Sequence, residues 1–116
     1  MDTQLVTLDD LRAAQARIRG VAVHTPLVRL SEPGFAGEVY IKAEGLQPVG
    51  SFKIRGAYNK ITQLSPAERS RGVITYSSGN HAQAVAYAAR AVGAKAVIVM
   101  PSNAPAIKRA ARSNVG

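Results

Sequence analysis

Three segments in the second half of the chain constrain its fold more than anything else in it. Val73-Ile74-Thr75-Tyr76 is β-branched and aromatic, Ala82 to Val92 is rich in alanine, and Ala96-Val97-Ile98-Val99-Met100 is an unbroken apolar run. β-branched and aromatic side chains suit a pleated surface, whereas alanine is the strongest helix former. Gly93 stands where the helix needs a stop. A strand, a helix and a second strand at this spacing form a crossover, which lays the two strands parallel. The apolar run predicts a strand buried on both faces, as parallel strands covered by helices are. Alanines at 82, 84, 86, 88 and 89 let the helix backbone come close to a neighbour. The expected class is α/β, an open parallel sheet with flanking helices.

The first half is read from caps and periodicity. Thr7 with Asp9 and Asp10 predicts a helix start; Leu11, Ala14 and Ile18 share a face, and Gly20 is the stop. Val21 to Leu30, interrupted by Thr25-Pro26, reads as an extended connection. Val39 to Lys42 reads as a short strand after turns at Gly34 and Gly37, and Gln47 to Gly50 as a loop. From Ser51 onward, Ile54, Ala57, Tyr58 and Ile61 have amphipathic helix spacing, with Lys53 off the apolar stripe. Ser65-Pro66-Ala67-Glu68 is a capping box with proline at N1, ended by Gly72. A basic helix is expected from about Ala104 to Arg112.

Composition narrows the function classes. The chain has 116 residues, 47% of them apolar, which suits one domain with a core. Cysteine is absent and the two histidines, His24 and His81, are far apart in sequence, so no metal centre is expected. The acidic, polar start and the lack of any long apolar run predict a cytoplasmic protein without a membrane partner. The net charge of +8 raises a nucleic-acid reading. Only Lys108, Arg109 and Arg112 cluster, however, and no aromatic residues are interleaved for base stacking. A solvated basic surface is favoured, and no nucleic-acid partner is expected.

Two loops carry chemistry. In Gly50-Ser51-Phe52-Lys53-Ile54-Arg55-Gly56-Ala57, Lys53 opens a helix beside an aromatic ring. A lysine amine condenses with an aldehyde when held partly unprotonated, and pyridoxal phosphate is the cofactor that uses such a lysine. The competing reading is a solvated surface lysine. Ser77-Ser78-Gly79-Asn80-His81 joins a strand to a helix, at the carboxyl end of a parallel strand, where open sheets bind ligands. The helix start suits a carboxylate or phosphate, and Gly79 lets backbone approach it. On residue chemistry alone the competing reading, that Ser77, Ser78 and Asn80 cap the helix, stands ahead.

Together, Gly-Ser-Phe-Lys-x-Arg-Gly-Ala and Ser-Ser-Gly-Asn-His-Ala-Gln resemble the N-terminal part of the threonine dehydratase and serine racemase group of fold type II pyridoxal-phosphate enzymes. The likeness extends to His24-Thr25-Pro26-Leu27, Lys42-Ala43-Glu44-Gly45-Leu46-Gln47 and Met100-Pro101 through Lys108. It implies a tryptophan synthase β-like fold, with residues 1–50 from the large domain and 51–116 part of the small one.

By this resemblance Lys53 forms the internal aldimine with pyridoxal phosphate and is the base at the substrate Cα. Phe52 packs beside the cofactor, a role compatible with an ordinary core aromatic. Asn80 bonds the phenolic oxygen, and Ser77, Ser78, Gly79, Asn80 and His81 surround the substrate carboxylate. In racemases, the serine matching Ser78 is the acid/base on the opposite ring face. Arg55 and Tyr58 receive no chemistry, and His24 and Thr25 are read as packing.

The implied reaction is β-elimination from L-threonine or L-serine, giving 2-oxobutanoate or pyruvate and ammonia. A racemase or hydroxyaspartate-type dehydratase of the same group is the alternative, and a non-catalytic basic α/β module is the alternative from another class. The family's glycine-rich phosphate loop and its pyridine-nitrogen contact lie downstream of the residues present. The chain is therefore expected to be a fragment, inactive alone, of an enzyme that is homo-oligomeric.

Overall fold

The computed structural model describes residues 5–31, 34–103 and 106. Helix α1 spans Leu8–Ile18 and starts in a full capping box: the Thr7 side chain accepts from the Asp10 amide, and the Asp10 carboxylate accepts from the Thr7 amide. Gly20 follows with a φ of 83°, the stop expected from the sequence. Strand β1 (Leu27–Leu30) pairs antiparallel with β2 (Val39–Lys42), and a 3-10 turn, Glu44–Leu46, leads on toward α2 (Lys53–Ile61). The β1 strand had been read as extended connection. The turns at Gly34 and Gly37 are legible, but that Leu27–Leu30 pairs back on Val39–Lys42 is not contained in either segment's own pattern; Arg29 pairs with Glu38 at 3.2 Å beside the ladder.

Helix α3 (Pro66–Arg71) begins at the Ser65–Glu68 capping box with proline in its first turn. Strand β3 (Val73–Tyr76), helix α4 (Asn80–Ala91) and strand β4 (Ala96–Val99) complete the crossover. The strands are parallel, Val73 opposite Ala96 through Tyr76 opposite Val99. The α4 helix starts two residues before the expected Ala82, because Asn80 and His81 already have helical geometry. The expected basic helix near 104–112 lies outside the described residues, apart from Ala106.

The core sits between α2 and α4. Ala57 and Ile61 meet Ala84, Val85 and Ala88, with Val49, Tyr58, Leu64, Val73 and Val92 packed around them. Ala84, Ala88 and Ala89 are fully buried, so the small side chains do bring the two helices close. One expectation fails. The β4 strand is not buried on both faces: Val97 and Val99 are exposed while Ala96 and Ile98 are half-buried. Helix α4 covers one face of the two-stranded sheet, and no described element covers the other. Among the described residues no helix is long and apolar enough to cross a membrane.

Candidate active site

Lys53 is the first residue of α2, and Phe52 occupies its N-cap position without any side chain capping the helix. Both are exposed, Phe52 at 57%. The Lys53 amine stands 4.9 Å from the centroid of the Phe52 ring, within cation–π range. Phe52 is thus no core aromatic. It gives up the burial that normally holds a phenyl ring and presents a flat apolar face beside the amine. Two residues earlier, the Ser51 hydroxyl is buried and has no hydrogen-bond partner among the described residues. Orphaned polar atoms of this kind are rare in folded chains, and they point to a bound group or an ordered water.

The Ser77–His81 loop leaves the carboxyl end of β3, where the Ser77 amide extends the sheet by donating to the Val99 carbonyl at 3.0 Å. Gly79 is the N-cap of α4 and no side chain caps the helix. The Ser77 hydroxyl is turned inside the loop, accepting from the Gly79 amide at 3.3 Å. Capping by Ser77, Ser78 or Asn80, the weightier reading of the sequence, is therefore not what these side chains do. The first amides of α4 keep their donors and the positive end of the helix dipole for another acceptor. Ser77, Ser78 and Gly79 are half-buried; Asn80 and His81 are exposed. His81 lines a cavity of about 270 Å³ together with Gly56, Ala57, Lys60 and Thr75. That cavity brings the first turn of α4 against α2, one turn beyond Lys53.

A second polar cluster was missed in the sequence. The Glu44 carboxylate accepts from Arg55 Nε at 2.9 Å and Arg55 Nη2 at 2.7 Å, from Thr25 Oγ1 at 2.6 Å, and from Gln47 Nε2 at 3.2 Å. Gln47 also holds both polar groups of the Val23 backbone, and Arg55 donates to the Val23 carbonyl at 3.0 Å. Lys42 Nζ donates to the Thr25 carbonyl at 3.0 Å. Thr25 and Gln47 are buried, and the Glu44 side chain is half-buried, 18% exposed. The Arg55 hydrogen bond, aided by those from Thr25 and Gln47, outweighs desolvation and pulls the Glu44 carboxyl down from its ordinary 4.5 to about 2. The same pairing raises Arg55 above its ordinary value. The available signal was a lone acid among apolar and amide residues, with an arginine on the helix that follows.

Chemically, the arrangement offers an amine, an aromatic face, a buried free hydroxyl and an uncapped helix start. Those groups fit a planar aldehyde-bearing ring with an anionic substituent. A family model described as pyridoxal-phosphate dependent enzyme matches residues 18–116. The chain is 50% identical over 115 residues to the L-threonine ammonia-lyase of Thermotoga maritima, covering 97% of this chain and 28% of that protein. It is 46% identical over 114 residues to the serine racemase of Schizosaccharomyces pombe, covering 97% and 35%. The solved structure of maize serine racemase superposes with a TM-score of 0.90 at 42% identity, again over 97% of this chain and 35% of that one. The chain thus spans about a third of the length of these relatives. With the α/β small-domain architecture and both motif loops in it, the chain belongs to the fold type II pyridoxal-phosphate-dependent enzymes, in the threonine ammonia-lyase and serine racemase group.

Proposed function

We propose that this chain supplies the lysine and the substrate loop for pyridoxal-phosphate-dependent deamination of a hydroxy amino acid, L-threonine or L-serine. The observation that carries the reading is the exposed Lys53 amine beside the solvent-facing Phe52 ring, next to the orphaned Ser51 hydroxyl. The bound cofactor would supply an electron sink for the carbanion left at the substrate Cα. Lys53 would hold the cofactor through its amine and take the Cα proton once the substrate amine has displaced it. Phe52 would cover the ring, and Asn80 would bond its phenolic oxygen. Ser77, Ser78, Gly79, Asn80 and His81 would bind and orient the substrate carboxylate, with the uncapped amides of α4 as donors. The net reaction converts threonine to 2-oxobutanoate and ammonia, or serine to pyruvate and ammonia. Within this reading, residues 1–50 belong to a large domain and 51–116 to a small one, as in a homo-oligomeric enzyme.

Racemisation is the second reading, favoured by the likeness to the yeast and maize serine racemases. It would use Ser78 to deliver a proton from the opposite face.

Borohydride treatment after incubation with pyridoxal phosphate tests the cofactor assignment. Peptide mapping is expected to find the reduced adduct on Lys53, and Lys53→Ala is expected to lose it. Equal labelling of both proteins at other lysines would sink the assignment. Product analysis with the rest of the enzyme supplied then separates the two reactions: a 2-oxo acid with ammonia marks the lyase, and D-serine marks the racemase.

A further inference from the structure

The cluster around Glu44 joins two parts of the chain that are distant in sequence. On one side are the extended segment Val23–Thr25 and the turn at Glu44–Gln47, locked together by the paired Val23–Gln47 bonds and the Thr25–Glu44 bond. On the other is Arg55, the third residue of α2, held by two bonds to the Glu44 carboxylate and one to the Val23 carbonyl. A guanidinium gripped at Nε and Nη2 by one carboxylate cannot swivel about a single contact, so the pairing fixes direction as well as distance.

Helix geometry carries this grip to Lys53. Successive residues are about 100° apart around an α-helix, so Lys53, two positions before Arg55, points roughly opposite it. Ile54, between them, is fully buried. With Arg55 clamped and Ile54 in the core, the first turn of α2 has one rotational setting. That setting turns the Lys53 amine away from the 23–47 segment and outward. The N-cap residue Phe52 makes no cap bond, so its side chain does not fix the rotation of the helix start; its ring lies beside the Lys53 amine itself, which stands 4.9 Å from the centroid.

We propose that Glu44 is a positioning residue for Lys53: through Arg55 it sets the rotation of the first turn of α2 and so the direction in which the lysine amine is presented. This rests on the assignment of Lys53 as the cofactor lysine. It adds a role for residues that touch neither cofactor nor substrate in that assignment. A merely structural network would stabilise the fold without affecting Lys53 more than any other residue.

The test compares Glu44→Gln and Arg55→Lys with Ile61→Val, a core change outside the clamp that lowers stability by a different route. Two readouts are used, each well below the unfolding midpoint of every variant. The first is the initial rate of borohydride-trapped pyridoxyl adduct on Lys53, relative to Lys60 and Lys95 in the same sample. Glu44→Gln and Arg55→Lys are expected to slow Lys53 labelling about tenfold or more relative to those lysines, since small misplacements of a reacting group cost rates of this order. Ile61→Val is expected to leave the ratio within about twofold.

The second readout is hydrogen exchange of the Arg55 amide, which donates to the Phe52 carbonyl at 3.0 Å in the first turn. It is expected to exchange faster in Glu44→Gln than in Ile61→Val. Should Glu44→Gln fail to fold, Arg55→Lys carries the decision, because it keeps the charge and loses the two-pronged grip on Glu44 together with the guanidinium bond to the Val23 carbonyl. Unchanged Lys53 ratios and unchanged Arg55 exchange in the folded clamp variants would overturn the proposal. If wild type shows no Lys53 adduct, the cofactor assignment fails instead, and the exchange comparison still decides whether Glu44 holds the first turn of α2.

Discussion

Gly72 shows how much one residue can be asked to do. It ends α3 with a φ of 82° and directly precedes β3. A Cβ built on it would stand 2.6 Å from the Lys95 carbonyl oxygen, which accepts from the Val73 amide at 2.8 Å at the start of the parallel ladder. Two independent penalties therefore fall on Gly72→Ala: the left-handed backbone, and a clash with a backbone atom that is itself hydrogen-bonded. The expected loss is about 2–4 kcal/mol, read from urea unfolding. Gly93, also at positive φ but with open space around it, should cost less when changed to Ala.

Glu44 acts at the same scale through its charge. Its folded pKa lies below its ordinary value, so protonation favours the unfolded chain. The stability it adds is whole above about pH 4.5 and is lost as pH falls toward about 2. The full shift corresponds to at most about 3.5 kcal/mol, and screening by solvent at its partly open edge brings that to ~1–2 kcal/mol. Glu44→Gln should flatten this part of an acid unfolding curve without abolishing it, because Asp10 and Glu68 are lowered in the same direction by their cap bonds. An acid limb of unchanged depth would contradict the assignment.

At the scale of elements, the decisive contact is α2 against α4. Alanines on α4 let the helices approach closely enough for Ala57 and Ile61 to be buried. Larger side chains there would hold the helices apart or force strained rotamers. Ala88→Leu is expected to destabilise the chain by about 1–3 kcal/mol in thermal or urea unfolding, whereas the same change at exposed Ala91 should be nearly neutral. A stabilised Ala88→Leu would mean that the interface has unfilled space. The caps of α1 and α3 were legible because each uses residues within one turn. The start of α4 was not, since serine and asparagine beside a helix start are consistent with capping whether or not they perform it. The loop conformation decided this by turning Ser77 toward the Gly79 amide.

At the scale of the whole molecule, helix α4 covers one face of the two-stranded sheet and no described element covers the other. The register places Ile74 opposite Val97 and Tyr76 opposite Val99, and all four side chains are exposed, Ile74 at 74% and Tyr76 at 70%. Apolar surface of this kind favours association. Val97→Lys is expected to reduce binding of an apolar dye, while changing stability by no more than about 1 kcal/mol. Unchanged dye binding would place the accessible apolar surface elsewhere. The sequence by itself determined the order of most elements, the parallel crossover, the small residues that allow close helix packing and the two loops whose residues resemble the family's motifs. These depend on periodicity, caps and turn residues, which act over a few positions. Only the tertiary structure decided which strand face is open, that β1 pairs with β2, that Phe52 lies outside the core and that Glu44 grips Arg55. Each of those depends on residues brought together from distant positions, where burial and charge pairing are settled by geometry that no local pattern contains.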